Sequence, residues 1–259
     1  MSIDFHKYQG AGNDFIMIDE RNLPKPLLSI DTIKKLCNRR FGVGADGLII
    51  IRKDEHLDFY VDYYNADGTQ SFCGNGARCS VKFAQEIGLI GIACHFNAID
   101  GSHEATINGN GDVKLLMSPV KHVEMEENQS YITDTGSPHY IRFVEDIEAI
   151  DIVDFGKSIR FSERYKQLGI NVNTAEIKEN CILVKTYERG VEDETYSCGT
   201  GVTAVALAAA LNNEKNKGCT AIQTKGGTLR VHWEKTALGF DNIYLEAPAN
   251  KVYEGHVEI

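Results

Sequence analysis

The sequence predicts an α/β (α+β) chain built twice on one plan, short strands alternating with a few helices. Three observations carry this prediction. Residues 73–76 read Cys-Gly-Asn-Gly and residues 198–201 read Cys-Gly-Thr-Gly, and each opens a helical stretch. Landmarks stand at matched distances from both: Asp46 and Asn171 lie 27 residues before their cysteines, Gly101 and Gly226 28 residues after. Gly12-Asn13-Asp14-Phe15 and Gly136-Ser137-Pro138-His139 begin 61 and 62 residues upstream. Two structural copies imply a pseudo-two-fold axis, and such an axis brings the two Cys-Gly turns face to face across one cleft. Two thiols on opposite sides of a substrate carbon are what an inversion of stereochemistry requires.

The elements follow in order. Phe15–Asp19 and Leu48–Arg52 are short apolar runs bounded by glycine or charge, the pattern of buried strands. Residues 58–64 alternate Phe59, Val61 and Tyr63 with polar or aromatic neighbours, which predicts a half-buried strand, and Asn65-Ala66-Asp67-Gly68 a turn. After Cys73, Ala77, Val81, Ala84 and Ile87 recur at helical spacing, with Gly88 as the C-terminal stop. From Val202 to Leu211 the chain is apolar almost all round and ends at Asn212-Asn213. A helix without a polar face is a buried one, so the second copy wraps a sheet around a central helix. Strand-like segments recur at Glu104–Ile107, Val113–Met117, Thr228–Trp233 and Asn242–Glu246, with Pro119 and Pro248 continuing the parallel. The charged stretch Lys121–Gln129 reads as the linker, which divides the chain into halves 1–118 and 119–259.

Composition narrows the function. A length of 259 residues suits one large domain or two smaller ones, and 42% hydrophobic residues suit a globular fold. The net charge of −10 argues against nucleic-acid binding, which calls for a basic face. No apolar run reaches the roughly 18 residues of a spanning helix, and the N-terminus has no apolar signal core. Seven cysteines without dense spacing predict cytoplasmic thiols rather than a disulfide framework. No CxxC, HxxxH or HExxH pair announces a metal and no GxxxxGK[ST] a nucleotide, and Gly74-Asn75-Gly76 lacks the third glycine and the later acidic residue of a dinucleotide turn, so neither metal nor cofactor is expected.

A cysteine at a helix N-terminus meets unsatisfied backbone N–H groups and the positive end of the macrodipole, which favour its thiolate. The glycines flanking Asn75 and Thr200 leave those N–H groups open to a carboxylate. The same donors stabilise charge moving onto that carboxylate as an α-proton leaves. A single base returns a proton to the face it came from. Two bases, one accepting while the other donates, invert the centre. A free cysteine is more often a small buried hydrophobe, and that reading is given to Cys37, Cys79, Cys94, Cys181 and Cys219. His139 alone reads as a satisfied core or surface histidine, and Glu188-Arg189 as a surface ion pair. A single Cys-Gly-x-Gly is a common tight turn; two at equivalent places of a repeat are much harder to dismiss.

In their order and spacing the motifs resemble the diaminopimelate epimerase family across the whole chain. They are Gly12-Asn13-Asp14-Phe15, Gly44-Ala45-Asp46-Gly47, Tyr64-Asn65-Ala66-Asp67-Gly68, Cys73-Gly74-Asn75-Gly76, Gly136-Ser137-Pro138-His139, Asn171-Val172-Asn173, Tyr187-Glu188-Arg189-Gly190 and Cys198-Gly199-Thr200-Gly201. The resemblance implies a cofactor-independent enzyme interconverting LL- and meso-2,6-diaminopimelate, on the route to lysine and peptidoglycan. It implies two pseudo-symmetric domains, each a mixed β-sheet curled around a central α-helix, a final strand near 250–259 packing back onto the first, and a homodimer. By position, Cys73 and Cys198 resemble the two acid/base residues, and His139 and Glu188 modulators of their proton affinity. Gly74, Asn75, Gly199 and Thr200 resemble the carboxylate-cradling turns, while Asn13, Asn65, Asn171, Glu188 and Arg189 resemble substrate-holding residues, Arg189 pairing with the distal carboxylate. The family often has Asn where this chain has Ser137 and Gln where it has Gly47, both polar positions near the substrate. A proline or hydroxyproline racemase of the same fold is the alternative; Glu188-Arg189 and the three asparagines favour a longer, more polar substrate.

Overall fold

The structure, a computed structural model, describes residues 2–22, 28–211 and 214–258. The chain divides into two units, Met1–Leu115 with Ala247–Ile259, and Leu116–Glu246. The closing segment that belongs to the second half in sequence therefore belongs to the first unit in space.

The first unit contains β1 (Ser2–Gly10), β2 (Asn13–Asp19), α1 (Ile30–Cys37), β3 (Gly47–Arg52), β4 (Phe59–Asn65), α2 (Gly74–Glu86), β5 (Ala93–Ala98), β6 (Gly101–Ile107) and β7 (Val113–Leu116). The second contains β8 (Val123–Met125), β9 (Ser130–Asp134), β10 (Pro138–Phe143), α3 (Ile152–Arg160), β11 (Asn171–Ile177), β12 (Ile182–Glu188), β13 (Asp193–Thr195), α4 (Gly199–Leu211), β14 (Lys217–Thr224), β15 (Gly227–Thr236) and β16 (Gly239–Ala247). The last strand, β17 (Asn250–Glu258), pairs antiparallel with β1.

The repeat seen in sequence is a repeat of pairing. From β1 through β7 the neighbours alternate antiparallel, parallel, antiparallel, parallel, and then close with two antiparallel pairs. The same order runs from β9 through β12 to β14, β15 and β16. Here β13 is an added hairpin arm on β12. The parallel steps are made by crossovers that hold α1 and α2 in one copy and α3 and α4 in the other. The expected linker Lys121–Gln129 is corrected by this pattern: its centre is β8, antiparallel to β9 just as β17 is to β1. Charge on a three-residue strand with two exposed positions reads as a linker in sequence.

α2 and α4 are the central helices. Ala77, Val81 and Ala84 on α2 are buried, and the helix stops as its glycine predicts. Gly88 adopts φ 69°, its N–H reaches the Gln85 carbonyl at 3.1 Å and the Leu89 N–H the Ala84 carbonyl at 2.9 Å, a Schellman closure. α4 is buried at nine of its thirteen residues, Val202, Val205 and Leu207 wholly so. Each such side chain contributes roughly 1.5–3 kcal/mol by leaving water. The predicted helix end at Asn212-Asn213 lies outside the described residues.

α1 and α3 escape the periodicity argument because they are short, but their caps are legible. The Ser29 hydroxyl accepts from the Thr32 N–H at 3.2 Å, and Asp151 accepts from the N–H groups of Val153 and Asp154 at 2.9 and 3.0 Å. All seven cysteines are free. Burial pushes Cys37 up to about 11 and Cys94 up to about 12, as expected of buried thiols. Two cysteines correct that expectation: Cys181 is half-buried, and Cys219 is exposed on β14, its Sγ 3.8 Å from Nε2 of His232.

Candidate active site

Both cysteines hold the same backbone station. The Cys73 carbonyl accepts the Ala77 N–H at 2.8 Å and the Cys198 carbonyl the Val202 N–H at 2.9 Å, so each residue is the N-cap of its helix. α1 and α3 spend a Ser or Asp side chain on their own first N–H groups and carry Asp31 or Asp154 in the first turn. Cys73 makes no side-chain cap bond, and neither α2 nor α4 has an acidic residue in its first turn. The positive helix ends are thus not neutralised by acidic side chains of their own first turns, which suits an incoming carboxylate. A Cβ on Gly74 would meet only Leu115 at 3.9 Å, so the α2 turn is open at that position.

In the first unit Asn75, Asn13 and Asp46 form a chain. Nδ2 of Asn75 donates to Oδ1 of Asn13 at 2.9 Å, and Nδ2 of Asn13 donates to Oδ2 of Asp46 at 2.7 Å. Asp46 is held in turn by Arg39 at 2.7 Å, which also pairs with Asp14. Arg78, fully buried, donates to the far end of the chain, Oδ1 of Asn75, at 2.6 Å. A cation at one end and a carboxylate at the other fix which way both amides point.

Asn65 sits apart from this chain and is fixed by its own turn. Its Nδ2 reaches the Thr69 hydroxyl and the Ser71 hydroxyl at 3.1 Å each, and its Oδ1 accepts from the Tyr63 hydroxyl at 2.8 Å. That tyrosine explains Gly47. A Cβ at Gly47 would lie 2.4 Å from the Tyr63 ring and 2.6 Å from the Tyr64 carbonyl oxygen. The Tyr63 ring and the Tyr64 carbonyl together fill the space above residue 47, so no side chain fits there.

In the second unit the strands place a buried network behind Cys198. The register sets His139 on β10 beside Asn171 on β11, and Thr186 on β12 opposite Asn173. The Thr186 hydroxyl donates to Oδ1 of Asn173 at 2.9 Å; Nδ2 of Asn173 then donates to the Tyr140 carbonyl at 3.0 Å and reaches Nδ1 of His139 at 3.1 Å. Nδ1 is therefore the acceptor, and the ring proton sits on Nε2, 2.9 Å from the Thr200 hydroxyl. That hydroxyl lies 3.4 Å from Sγ of Cys198. His139 is wholly buried, and burial, helped by the positive charge of Arg189, pulls its pKa down to about 3, so it works as a neutral donor.

Ser137 joins the same group, 3.1 Å from both His139 Nε2 and the Thr200 hydroxyl, and it accepts from Nδ2 of Asn171 at 3.0 Å. Oδ1 of Asn171 accepts the Arg189 backbone N–H at 2.8 Å, tying the turn after β12 to the network. The Arg189 guanidinium is exposed and donates to the Leu168 carbonyl at 2.9 Å. Burial holds the Glu188 carboxyl above the usual carboxylate range. Gly199 and Gly201 begin α4, and a Cβ on Gly201 would press to 2.6 Å of Oδ1 of Asn173, which is why the network can lie against the helix start.

Sequence reasoning missed Asn173, Thr186 and Arg78. Asn173 had a signal, since residues two apart on a strand share a face and Asn171 was already singled out. Thr186 had none, because its partner is set by strand register. Among the described residues one group brings metal-ligand types together, His6, Glu86 and Glu254, and the Lys251 ammonium is already bonded to both carboxylates.

No described helix is long and apolar enough to cross a membrane. The family profile described as Diaminopimelate epimerase matches residues 5–123 and 131–252. A diaminopimelate epimerase of Flavobacterium psychrophilum is 45% identical over 251 residues, covering 96% of this chain and 98% of the relative. One from Aquifex aeolicus is 35% identical, covering 98% of each. Among solved structures, a Bacillus anthracis phenazine biosynthesis protein of the PhzF family superposes with a TM-score of 0.78 at 14% identity over all of both chains. A hydroxyproline epimerase from Agrobacterium vitis superposes with a TM-score of 0.69 at 13% identity, covering 99% of this chain and 92% of that one. These two likenesses concern the fold; the full-length relatives and the family match decide membership. The chain belongs to the diaminopimelate epimerase family.

Proposed function

We propose that Cys73 and Cys198 are the two acid/base groups with which this isomerase interconverts LL- and meso-2,6-diaminopimelate, each thiol serving one face of the α-carbon. The observation that supports this most directly is that the same topological copy occurs twice and caps its central helix with a cysteine each time. One thiolate takes the α-proton, the C–H electron pair moves toward the α-carboxylate, and the other thiol delivers its proton to the opposite face. The charge that develops on the carboxylate is met by the first-turn N–H groups at Gly74-Asn75 and Gly199-Thr200. A donor aimed at such charge is typically worth about 2.7–4 kcal/mol. With two such turns the reaction proceeds without a cofactor.

Around this centre Asn13, Asn65, Asn171, Glu188 and Arg189 hold the substrate, Arg189 binding the distal carboxylate as a fork that a simple amine does not offer. His139 and Glu188 adjust the thiols, His139 through the Thr200 hydroxyl. The enzyme works in the cytoplasm, where thiols stay reduced, as a homodimer supplying lysine and peptidoglycan synthesis. The test is incubation with LL-diaminopimelate in deuterium oxide, following isomer ratio and α-deuterium uptake. Meso product carrying solvent deuterium is expected, and Cys73→Ala and Cys198→Ala each abolish net epimerisation. Interconversion near the native rate in either variant overturns the two-base reading, and efficient racemisation of proline moves the assignment to a proline racemase.

A further inference from the structure

The two copies differ in charge at one matched position. Residue 78 stands five after Cys73 and residue 203 five after Cys198. Both reach back to the carbonyl one turn earlier: Nη1 of Arg78 donates to the Gly74 carbonyl at 3.2 Å, and the Thr203 hydroxyl to the Gly199 carbonyl at 2.9 Å. The backbone work is the same, yet one copy uses a neutral hydroxyl and the other a guanidinium. Helix side chains lean toward the N-terminus, so Arg78 lies under the first turn of α2, where an acidic residue is the usual choice.

Arg78 is fully buried, its Nε has no hydrogen-bond partner, and its other contacts are the Gly74 carbonyl and the Asn75 amide oxygen. Its ionisable neighbours are Cys79 and Cys73. Arginine does not give up its proton in proteins, and a buried cation without an anion carries a large desolvation cost. Cys79 cannot supply the anion, because complete burial keeps it a thiol. The remaining charged groups packed around α2 are paired elsewhere: Lys7 with Asp14, Arg52 with Asp62, and His6 and Lys251 with Glu86. Cys73 is left as the group whose ionisation balances Arg78.

We propose that Arg78 is a positioning residue, a buried counter-charge that makes Cys73, and not Cys198, the thiolate of the resting protein. The donors seen toward Cys198 are neutral ones. Thr200 and Ser137 are hydroxyls and His139 is a buried uncharged ring. Arg189, the cation that acts on His139, is exposed, and water weakens its field. Lys185, on the strand beside α4, is paired with Glu148, and Glu176 with Lys178. The resting protein accordingly presents one base, Cys73, and one acid, Cys198, and the substrate isomer whose α-hydrogen faces Cys73 reacts without a prior proton exchange. This rests on the two-thiol reading above.

The test measures ionisation without using turnover, so it stands apart from the test of activity. Cys198→Ser leaves Cys73 to be followed alone, and Cys73→Ser leaves Cys198; each is alkylated with iodoacetamide across pH and the modified peptide quantified by mass spectrometry. The Cys73 midpoint is expected at least one pH unit below that of Cys198. Adding Arg78→Met raises the Cys73 midpoint by a unit or more, slowing its labelling at neutral pH by about tenfold, and leaves Cys198 where it was; Arg78→Lys restores most of the shift. A Cys198 midpoint at or below that of Cys73 overturns the proposal, as does a folded Arg78→Met protein whose Cys73 midpoint does not move. Should Arg78→Met fail to fold, the order of the two midpoints and the Arg78→Lys value decide.

Discussion

Nδ2 of Asn173 lies 3.1 Å from Nδ1 of His139, and this contact decides which histidine nitrogen carries the proton. The amide cannot turn around, because Nδ2 also serves the Tyr140 carbonyl and Oδ1 accepts from Thr186. The His139 proton is thereby sent toward the Thr200 hydroxyl, and a residue with no contact to the thiol governs the donor that faces it.

Asn173→Leu removes that control, takes a side-chain donor from the Tyr140 carbonyl and takes the acceptor of the buried Thr186 hydroxyl. Stability is expected to fall by about 1–3 kcal/mol. In the fraction that folds, kcat falls by on the order of 10-fold or more with KM less affected. Thr200→Val should reproduce the kcat loss with little loss of stability, and Thr200→Ser should rescue it. Steady-state kinetics alongside urea melts separate the two effects; native kcat in Thr200→Val would remove the hydroxyl from the mechanism.

His139 also gives the fold a pH dependence. Its folded pKa of about 3 lies below the ordinary 6.5, so between these values the unfolded chain binds a proton that the folded one refuses. Stability is therefore complete above about pH 6.5 and declines as pH falls toward 3, with a slope of up to about 1.4 kcal/mol per pH unit from this group. Denaturation midpoints measured from pH 7 to pH 4 should fall more steeply in the native protein than in His139→Gln. Equal slopes would show that the ring is not buried neutral.

Arg189→Ala is expected to lower kcat/KM for diaminopimelate by on the order of 10²-fold, since bound substrate shields the otherwise exposed guanidinium from water and losing the charged partner of a carboxylate there typically costs about 2–5 kcal/mol. Arg189→Lys should recover only part, because a point charge does not reproduce the fork. Full activity in Arg189→Ala would place distal-carboxylate recognition on another residue.

Gly47→Gln, the residue many relatives are expected to carry, should be harmful here. Its Cβ would meet the Tyr63 ring and the Tyr64 carbonyl, and the second of these is backbone that cannot step aside. A stability loss of at least about 1–3 kcal/mol is expected from thermal melts, with Tyr63→Ala in the same chain recovering little of it because the carbonyl contact remains. An unchanged melting temperature would contradict this packing.

The copies were legible in sequence because a cysteine, two glycines and a helix start are local features that recur at fixed offsets. The central helices α2 and α4 followed from periodicity, and the apolar circumference of α4 announced its burial. The linker did not follow: β8 looks solvated residue by residue, and only its pairing with β9 makes it a strand. Nor did the closing strand announce itself by pattern, since β17 is exposed at most positions and is defined by hydrogen bonds to β1.

The sequence by itself determined the chemistry on offer: two cysteines each capping a helix at equivalent places, flanked by glycines that open the N–H groups, with Asn13, Asn171, His139 and Arg189 nearby in the pattern. Tertiary structure decided how those groups are tuned. Strand register, invisible in composition, puts Thr186 opposite Asn173 and so fixes the His139 proton. Burial, which depends on what packs above a residue rather than on the residue, turns His139 neutral and leaves Arg78 a cation without a carboxylate. Type and spacing are written along the chain; protonation state and charge balance come from long-range packing, which brings together groups that the chain keeps far apart.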